Sequence, residues 1–261
     1  MFMFRKEGLL SVGIAVIGGF LMLGVVPGGV RPARAEDAAR IEADVHKALD
    51  SKKFQNVTST VSGPEVVLAG TVDTYAAKED ADNRTHHVKG VKGVDNEIVV
   101  NGPRVEDTVL RDQLSKKLAY DRVGYGTTPF NAITIGVQDG VVTLGGTVYG
   151  PPDKDSALSL VANTPGVKDI VDNLDVAPLS PMDDEIRIRV ANAVYGAPQL
   201  QQYALNPVKP IRIVVVNGNV TLAGVVDSKM DRDLAGMRAN SVPGVFKVVN
   251  DLQIAGQQPG H

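Results

Sequence analysis

Three stretches of this chain carry the same apolar pattern in the same register, which limits what the chain can fold into. Each stretch ends in Leu-x-Gly-x-Val, at residues 65–72, 141–148 and 219–226. Twenty residues after the glycine of each stretch, another glycine opens a run of alternating apolar residues. Because this spacing is kept three times, the chain consists of one structural unit used three times. No chemically reactive group recurs with the pattern, so the repeat favours binding or assembly over catalysis.

An amphipathic helix precedes each stretch, with apolar residues at every fourth position. These residues are Ile41, Val45 and Leu49, then Leu110, Leu114 and Leu118, then Ile186, Val190 and Val194. An alternating strand follows, and a short turn joins it to the Leu-x-Gly-x-Val strand as a hairpin. The twenty-residue connection has room for a second helix, at 77–88, 153–164 and 231–242. We expect the second glycine of each unit (Gly90, Gly166 or Gly244) to end that helix in a left-handed conformation.

This order of elements predicts an α+β fold of three tandem α-β-β-α-β modules. Each module is expected to be a three-stranded mixed sheet covered on one face by two helices, because the last connection is long enough for a right-handed crossover. The strand order remains open. The expected boundaries are a signal peptide at 1–35, modules at 36–102, 106–178 and 183–255, and a disordered tail at 256–261.

The first 35 residues lie outside the repeat and resemble an export signal. Arg5 and Lys6 precede an uncharged apolar run at 9–26, and a small-x-small sequence ends at Ala35. This order predicts a secretory signal peptide cleaved after Ala35, with an uncleaved membrane anchor as the alternative. The remaining chain has no second stretch that could span a bilayer. With no cysteine in the chain, we expect a periplasmic protein stabilised by packing alone.

The charge of the chain argues against nucleic acid as a partner. The full chain has a formal net charge of −3, and the predicted signal peptide contributes +3 to it, which leaves −6 on the mature protein. Nucleic-acid binding depends mainly on neutralising phosphates with basic residues. A mildly acidic chain is therefore expected not to bind nucleic acid.

The repeated unit resembles the BON domain (bacterial OsmY and nodulation domain). The resemblance rests on the element order, on the V-x-L-x-G-x-V strand and on a G-V-x4-N/D-x-L/I ending, and it covers residues 37–255 in three copies. The ending occurs at Gly90-Val91 to Asn96-Ile98, Gly166-Val167 to Asp172-Leu174 and Gly244-Val245 to Asn250-Leu252. The resemblance implies an envelope protein linked to osmotic or envelope stress that contacts phospholipid surfaces or other envelope proteins. It implies no enzymatic activity and carries no binding residues over.

No residue pattern points to catalysis, a metal or a cofactor. The glycines lack the spacing of a phosphate-binding loop, and there is no G-x-S-x-G sequence. His86 and His87 are adjacent, so on a helix their rings diverge and do not form a metal-binding pair. We interpret Gly70, Gly146 and Gly224 as structural residues that let a helix approach the sheet closely.

Two groups of residues are candidates for a binding role. Cations and aromatic rings follow the first helix of units one and two, a combination suited to anionic lipid headgroups. They are Lys52, Lys53, Phe54, Lys116, Lys117, Tyr120, Arg122 and Tyr125. The alternative interpretation is that these lysines only complement the helix dipole. The second group is an outward-facing apolar set in unit three, expected to pack on another module, a second copy or a partner. It consists of Val214, Val216, Val225 and Val249.

The leading functional hypothesis is therefore a non-enzymatic periplasmic protein that contacts anionic phospholipid surfaces through its first two modules. The alternative is a periplasmic chaperone or scaffold that binds client or partner proteins through sheet faces and edges. Vesicle binding that depends on lipid charge would favour the first. Suppression of aggregation without vesicles would favour the second.

Overall fold

The structure of the protein, a computed structural model, describes residues 33–256. The predicted signal peptide, except for its last three residues, and nearly all of the predicted tail lie outside this range. The described chain divides into two compact units, one ending at Gly102 and one beginning at Pro103. The first unit contains one module and the second contains two.

The first module follows the predicted order, with its last strand divided in two. Its elements are α1 (Ala33–Ala48), a 3-10 turn (Lys52–Phe54), β1 (Val57–Ser62), β2 (Glu65–Val72), α2 (Tyr75–His86), β3 (Gly93–Asn96) and β4 (Val99–Val100). The predicted stripe Ile41, Val45 and Leu49 is buried. The break between β3 and β4 spans Glu97 and Ile98, and the Ile98 side chain is buried there.

The second and third modules repeat this order with undivided last strands. The second contains α3 (Asp107–Tyr120), 3-10 turns at Val123–Tyr125 and Thr128–Phe130, β5 (Ala132–Gln138), β6 (Val141–Val148), α4 (Pro151–Ala162) and β7 (Asp169–Val176). The third contains α5 (Pro181–Tyr195), α6 (Gln201–Leu205), β8 (Arg212–Val216), β9 (Asn219–Val226), α7 (Lys229–Asn240) and β10 (Lys247–Ile254). The connection between the first helix and the first strand becomes longer in each successive module.

The Leu-x-Gly-x-Val strand is the central strand of every sheet. It pairs antiparallel with the first strand of its hairpin and parallel with the last strand. The prediction of mixed sheets in three α-β-β-α-β modules is therefore confirmed. The central strand contributes an inward leucine to each core, and Leu68, Leu144 and Leu222 are fully buried.

The glycines of the central strand have a different role from the one expected. A Cβ at Gly146 would lie 2.0 Å from the carbonyl oxygen of Ala132, and a Cβ at Gly70 would lie 2.0 Å from that of Asn56. Gly224 meets the carbonyl of Pro210 in the same way. All three have φ between +96° and +124°. The close neighbour is thus the backbone at the start of the adjacent strand, not a helix, and the conformation itself requires glycine.

The second glycine of each unit has the positive φ expected of it, but it does not end the helix. The second helices end at His86, Ala162 and Asn240, four residues before Gly90, Gly166 and Gly244. The residues that follow the helix ends are not left-handed, and a further turn separates each helix from its glycine. A Cβ at Gly90 would lie 3.0 Å from the Ile41 side chain of α1. Close approach to a first-helix residue therefore occurs here rather than at the central-strand glycines.

The N/D residue of the repeated ending ties the last strand to the second helix. The Asn96 side chain accepts a hydrogen bond from the Ile98 N–H and donates one to the Lys78 carbonyl. Asn250 and Asp172 accept from the N–H two residues further on in the same way. Asp172 also pairs with Lys154 of α4 at 2.7 Å. The recurring polar residue in this apolar strand is therefore part of the fold.

The second and third modules share a joint within their compact unit. The Arg212 guanidinium donates a hydrogen bond to the Thr128 carbonyl oxygen. Phe130 packs against the core of the third module, and its ring centroid lies 5.8 Å from that of Tyr149. The Arg187 guanidinium lies over the Tyr149 ring at 5.1 Å. These contacts fix the segment 128–130 between the two modules.

Protonation at this joint follows from burial. Burial raises the pKa of Tyr149, and the Asp184 carboxylate raises this pKa further, so the phenol keeps its proton. Arg187 is itself buried, donates to Asp184, and donates to the Val215 carbonyl oxygen at 2.8 Å. Burial also lowers the pKa of Arg212. The joint therefore combines satisfied polar groups with aromatic packing.

Candidate functional site

The structure brings the predicted residues of the second module together at the carboxyl end of α3. Lys116, Lys117, Tyr120 and Arg122 line an open hollow of about 540 Å³, together with Asp121 and with Leu160 of α4. Tyr120 is 61% exposed and Tyr125 is 72% exposed. We call the five predicted residues the cation–aromatic surface; it consists of Lys116, Lys117, Tyr120, Arg122 and Tyr125.

The two lysines of this surface differ in how they are held. Lys117 donates a hydrogen bond from Nζ to Thr164 Oγ1 at 3.0 Å, which directs its ammonium group across the hollow toward the end of α4. Lys116 is exposed and forms no ion pair with any residue between 37 and 256. The surface therefore offers one oriented and one solvated ammonium group.

Arg122 is held much more firmly than a free surface cation. Its guanidinium lies over the Tyr125 ring at 4.0 Å, and its Nε lies 3.5 Å from a carboxylate oxygen of Asp153. Asp153 is only 3% exposed. The Arg122 backbone is left-handed, with φ of +59°. Because its charge is already paired, Arg122 has less attraction left for an external anion than the two lysines have.

The first module does not reproduce this surface. The Phe54 ring, predicted to lie at a lipid interface, is 3% exposed and belongs to the module core. Lys53 pairs with Asp80 and lies over the Phe54 ring at 5.0 Å, and Arg84 lies over the same ring at 5.5 Å. The prediction that Phe54 contacts lipid is therefore wrong, because the 3-10 turn Lys52–Phe54 directs the ring inward. Lys52 and Lys53 both remain exposed, but the Lys53 ammonium group is paired with Asp80.

The carboxylate of Asp80 is stabilised by these cations. Partial burial acts to raise the pKa of Asp80, but hydrogen bonds and charges from Lys53 and Arg84 outweigh it and hold the pKa below its usual value. Lys53 is thus engaged in an ion-pair cluster on the surface of the first module. This cluster supports the fold of the module more than it provides a free positive charge.

The third module uses its two tyrosines internally. Tyr203 of α6 is 2% exposed, and its hydroxyl donates to Asp231 at 2.9 Å and accepts from the Asp227 N–H. Burial raises the pKa of Tyr203 to about 12. Tyr195 donates its hydroxyl proton to the Ile211 carbonyl oxygen. Neither ring is available for a surface contact.

The valine set of the third module lies on a partly covered face. Val225 is 40% exposed, while Val214, Val216 and Val249 are half-buried. The strand that carries Val214 and Val216 contacts β5 and the 3-10 turn Thr128–Phe130 of the second module. That this face binds another module, a second copy or a partner stays a prediction.

Other apolar side chains of the third module are more exposed than these valines. Phe246 is 78% exposed, and Met182, Met230 and Met237 are also exposed. In the second module, Lys168 occupies the position equivalent to Phe246 and donates to the Asp139 carbonyl oxygen. The exposed phenylalanine is thus particular to the third module.

Residues 33–256 contain neither a candidate membrane-spanning helix nor a candidate metal site. No helix between residues 33 and 256 is long and apolar enough to cross a bilayer. In the same range, no three histidine, aspartate or glutamate side chains are grouped closely enough to hold a metal ion. His86 and His87 each direct Nδ1 toward a backbone carbonyl of α2, and His86 also faces Asp82.

Several residues that shape the site could not be recognised in the sequence. Asp153, Thr127 and Asn131 form one hydrogen-bonded group, with Thr127 Oγ1 and Asn131 Nδ2 donating to the same Asp153 oxygen at 2.5 and 2.9 Å. Asn131 also accepts from the Tyr149 N–H at 2.8 Å. These partners are separated by 18 to 26 positions in the chain, and none of them lies in the repeated motifs.

Comparison with known proteins agrees with the fold and the repeat. The sequence profile of the BON domain matches residues 37–102, 106–178 and 183–256. Osmotically-inducible protein Y of Escherichia coli (strain K12) is 28% identical over 148 residues, which are 53% of this chain and 72% of that protein.

Two solved structures of CdsD, a structural protein of the type III secretion system of Chlamydia trachomatis, also match. At 13% identity they cover 83% and 84% of this chain, and 96% and 98% of their own chains. One of them is the C-terminal domain. Their TM-scores of 0.22 and 0.23 are too low to support any inference. The three profile matches, together with the repeated α-β-β-α-β modules, show that this chain belongs to the BON domain family.

Proposed function

We propose that this chain is a non-enzymatic binding protein of the periplasm that contacts anionic phospholipid surfaces during osmotic or envelope stress. Membership of the BON family and similarity to an osmotically inducible protein support the link to stress. The observation that carries the lipid contact is the cation–aromatic surface. It places Lys116, Lys117 and the exposed Tyr120 around one open hollow of the second module, and the exposed Tyr125 ring lies against the Arg122 guanidinium that also lines this hollow.

The chemistry of this surface suits the region of phospholipid headgroups. Lysine ammonium groups attract phosphates, and tyrosine rings favour the boundary between headgroups and acyl chains. Val123, which is 50% exposed between Arg122 and Tyr125, adds an apolar side chain at the tip of the loop. The carboxylates of Asp121 and Asp153 offset two of the three positive charges, so the net positive charge of the region is small. The contact is therefore weak and sensitive to salt.

The sequence predicted lipid contact by the first module as well as the second, but the structure supports a smaller set of contacting residues. Phe54 is buried and Lys53 is paired, so only Lys52 of that predicted group remains free to face a lipid surface. We therefore place the lipid contact in the second module alone.

Replacing Lys116 and Lys117 together by glutamine is expected to weaken binding to anionic vesicles roughly thirtyfold in low salt. Each basic residue near an anionic surface contributes about 1 kcal/mol, and 1.4 kcal/mol corresponds to a factor of ten in affinity. The measurement is flotation of the mature protein with vesicles of graded anionic lipid content, repeated at increasing salt.

The matched control is the pair Lys229→Gln and Lys247→Gln in the third module, which changes the net charge equally on exposed side chains. This control is expected to bind vesicles with an affinity within about twofold of that of the original protein. Only lysines that lie close to the membrane surface are attracted to its anionic lipids. Equal losses in both double variants would show a non-specific charge effect. Binding that ignores lipid charge would remove the proposed contact.

A second candidate function, a periplasmic chaperone or scaffold, is favoured by the exposed apolar side chains of the third module. Phe246, Met182 and Met237 have the adaptable apolar character suited to varied protein segments. This function predicts suppression of client aggregation in the absence of vesicles, reduced by Phe246→Ser. It also predicts that the Lys116 and Lys117 variants keep this suppression.

The proposed location requires export, so the mature protein is expected to begin at Glu36. Cleavage after Ala35 would remove only the first three residues of α1 and leave its buried stripe intact. Mass spectrometry of the protein from fractionated cells measures this directly. An intact amino terminus recovered with the inner membrane would contradict it and would indicate an anchor instead.

A further inference from the structure

A buried carboxylate on α4 binds the segment that carries two of the five residues of the cation–aromatic surface, Arg122 and Tyr125. The Thr127 hydroxyl and the Asn131 amide both donate to one oxygen of Asp153, and the Arg122 Nε lies 3.5 Å from the same oxygen as an ion pair without a hydrogen bond. All three belong to the connection between α3 and β5. Asp121 adds a second tie to α4, because its carboxylate accepts from the Ser156 hydroxyl at 2.8 Å.

The same position has the same structural role in the third module. Asp153 is the third residue of α4, and Asp231 is the third residue of α7. Asp231 accepts from the Tyr203 hydroxyl, and Tyr203 belongs to the corresponding connection between α5 and β8. In the first module the position is Ala77, on the helix that packs against the 3-10 turn of Phe54. In the last two modules this helix position therefore holds the connection through a carboxylate.

Only in the second module does the held segment carry a cation stacked on an exposed aromatic ring. There the carboxylate faces Arg122, whose Nε has no hydrogen-bond partner between residues 37 and 256 and whose backbone is left-handed. The guanidinium in turn lies on the Tyr125 ring. Arg122 links Asp153 to the exposed Tyr125 ring and to the loop containing Gly124 and Gly126. Asp153 therefore determines the position of this ring and loop relative to Lys116 and Lys117 of α3.

We infer that Asp153 is a positioning residue for lipid contact, holding the 121–131 segment so that Tyr125 faces the same side as Lys116 and Lys117. The inference rests on the proposed lipid function. A segment with two glycines loses conformational entropy when it becomes ordered on a surface. Ordering it in advance through Asp153 removes that loss from binding.

The test removes one donor to Asp153 without changing charge or the contacting residues. Thr127→Val keeps the side-chain shape and deletes the hydroxyl, in the full mature chain. Binding to vesicles rich in anionic phosphatidyl lipid is expected to weaken roughly three- to tenfold, as expected when a binding loop must be ordered during association. Amide exchange of residues 122–127 is expected to become faster, while the net charge and the salt dependence remain unchanged.

Tyr203→Phe is the matched control, since it deletes the hydroxyl that binds Asp231 in the third module. It is expected to leave vesicle binding unchanged, even where it lowers thermal stability. Thr127→Ser restores a hydroxyl and is expected to restore binding, which also covers the case in which Thr127→Val folds poorly. Unchanged affinity in Thr127→Val, or equal losses in Thr127→Val and Tyr203→Phe, would overturn the positioning role while the lipid proposal stands. Failure of the original protein to bind vesicles would overturn both.

Discussion

Gly146→Ala is expected to destabilise the second module by roughly 3 kcal/mol or more, the largest effect we predict for a single methyl group. The new Cβ would lie 2.0 Å from the Ala132 carbonyl oxygen, and it would sit on a residue with φ of +96°. Strain from an unfavourable backbone region costs about 1–3 kcal/mol, and overpacking costs a similar amount. Denaturant unfolding of the full chain, with amide exchange to localise the loss, measures the effect.

Gly136→Ala provides the control in the same sheet. A Cβ at Gly136 would lie 3.8 Å from the Thr143 Cβ, an ordinary contact, and its backbone is not left-handed. We expect this variant to be neutral or more stable by about 0.5 kcal/mol, because alanine lowers the entropy of the unfolded chain. If both variants unfold at the same denaturant concentration, steric conflict with the adjacent strand is not the reason for glycine at 146.

Asp183→Ala is expected to destabilise the third module by about 2–4 kcal/mol. The Asp183 carboxylate is 1% exposed and accepts from the Asn217 N–H at 2.9 Å and the Gly218 N–H at 2.8 Å. Removal leaves the N–H groups of a tight hairpin turn without their charged acceptor, and hydrogen bonds to charged groups contribute about 1.5–3 kcal/mol each. Denaturant unfolding and exchange of the Asn217 and Gly218 amides report the loss.

Asp107→Ala is the comparison variant, for which we expect a smaller loss of stability than for Asp183→Ala. Asp107 makes the same pair of bonds to the Asp139 and Gly140 N–H groups, at 2.7 and 3.0 Å, but in a more exposed turn. Water can replace part of the lost interaction, so we expect a loss of about 1 kcal/mol. The equivalent residue of the first module is Ala38, whose turn contains Pro64 and lacks one of the two donors. A loss at Asp183 no larger than at Asp107 would show that burial of the turn does not decide the cost.

Most of the fold could be predicted because its determinants are local in the sequence. The four-residue spacing of Leu110, Leu114 and Leu118 indicates a helix with one buried face, and all three side chains are buried. The alternation of apolar and polar residues likewise predicts strands, because successive side chains of a strand point to opposite faces of the sheet. The second helices begin and end two residues before their predicted positions in all three modules, because each glycine follows an extra turn rather than the helix itself.

The site was less predictable because orientation and pairing are not local. Lys53-Phe54 and Lys117-to-Tyr120 have similar composition, yet one ring is buried and the other exposed. A one-residue change in the path of a short turn reverses the direction in which a side chain points. The residue types in the segment do not predict that path. The pairing of Arg122 with Asp153 likewise depends on the distance between α3 and α4, which only the folded module sets.

For this protein, the sequence alone determined the number of modules, their element order and their family. Apolar periodicity and its threefold repetition are local properties of the sequence and can be recognised without the fold. Tertiary structure decided which strand is central, why Gly70, Gly146 and Gly224 are glycines, and which cations remain available to a ligand. Those properties arise from contacts between residues distant in the chain, such as Arg122 with Asp153. Packing brings such groups together, and no local sequence pattern in either segment predicts the contact.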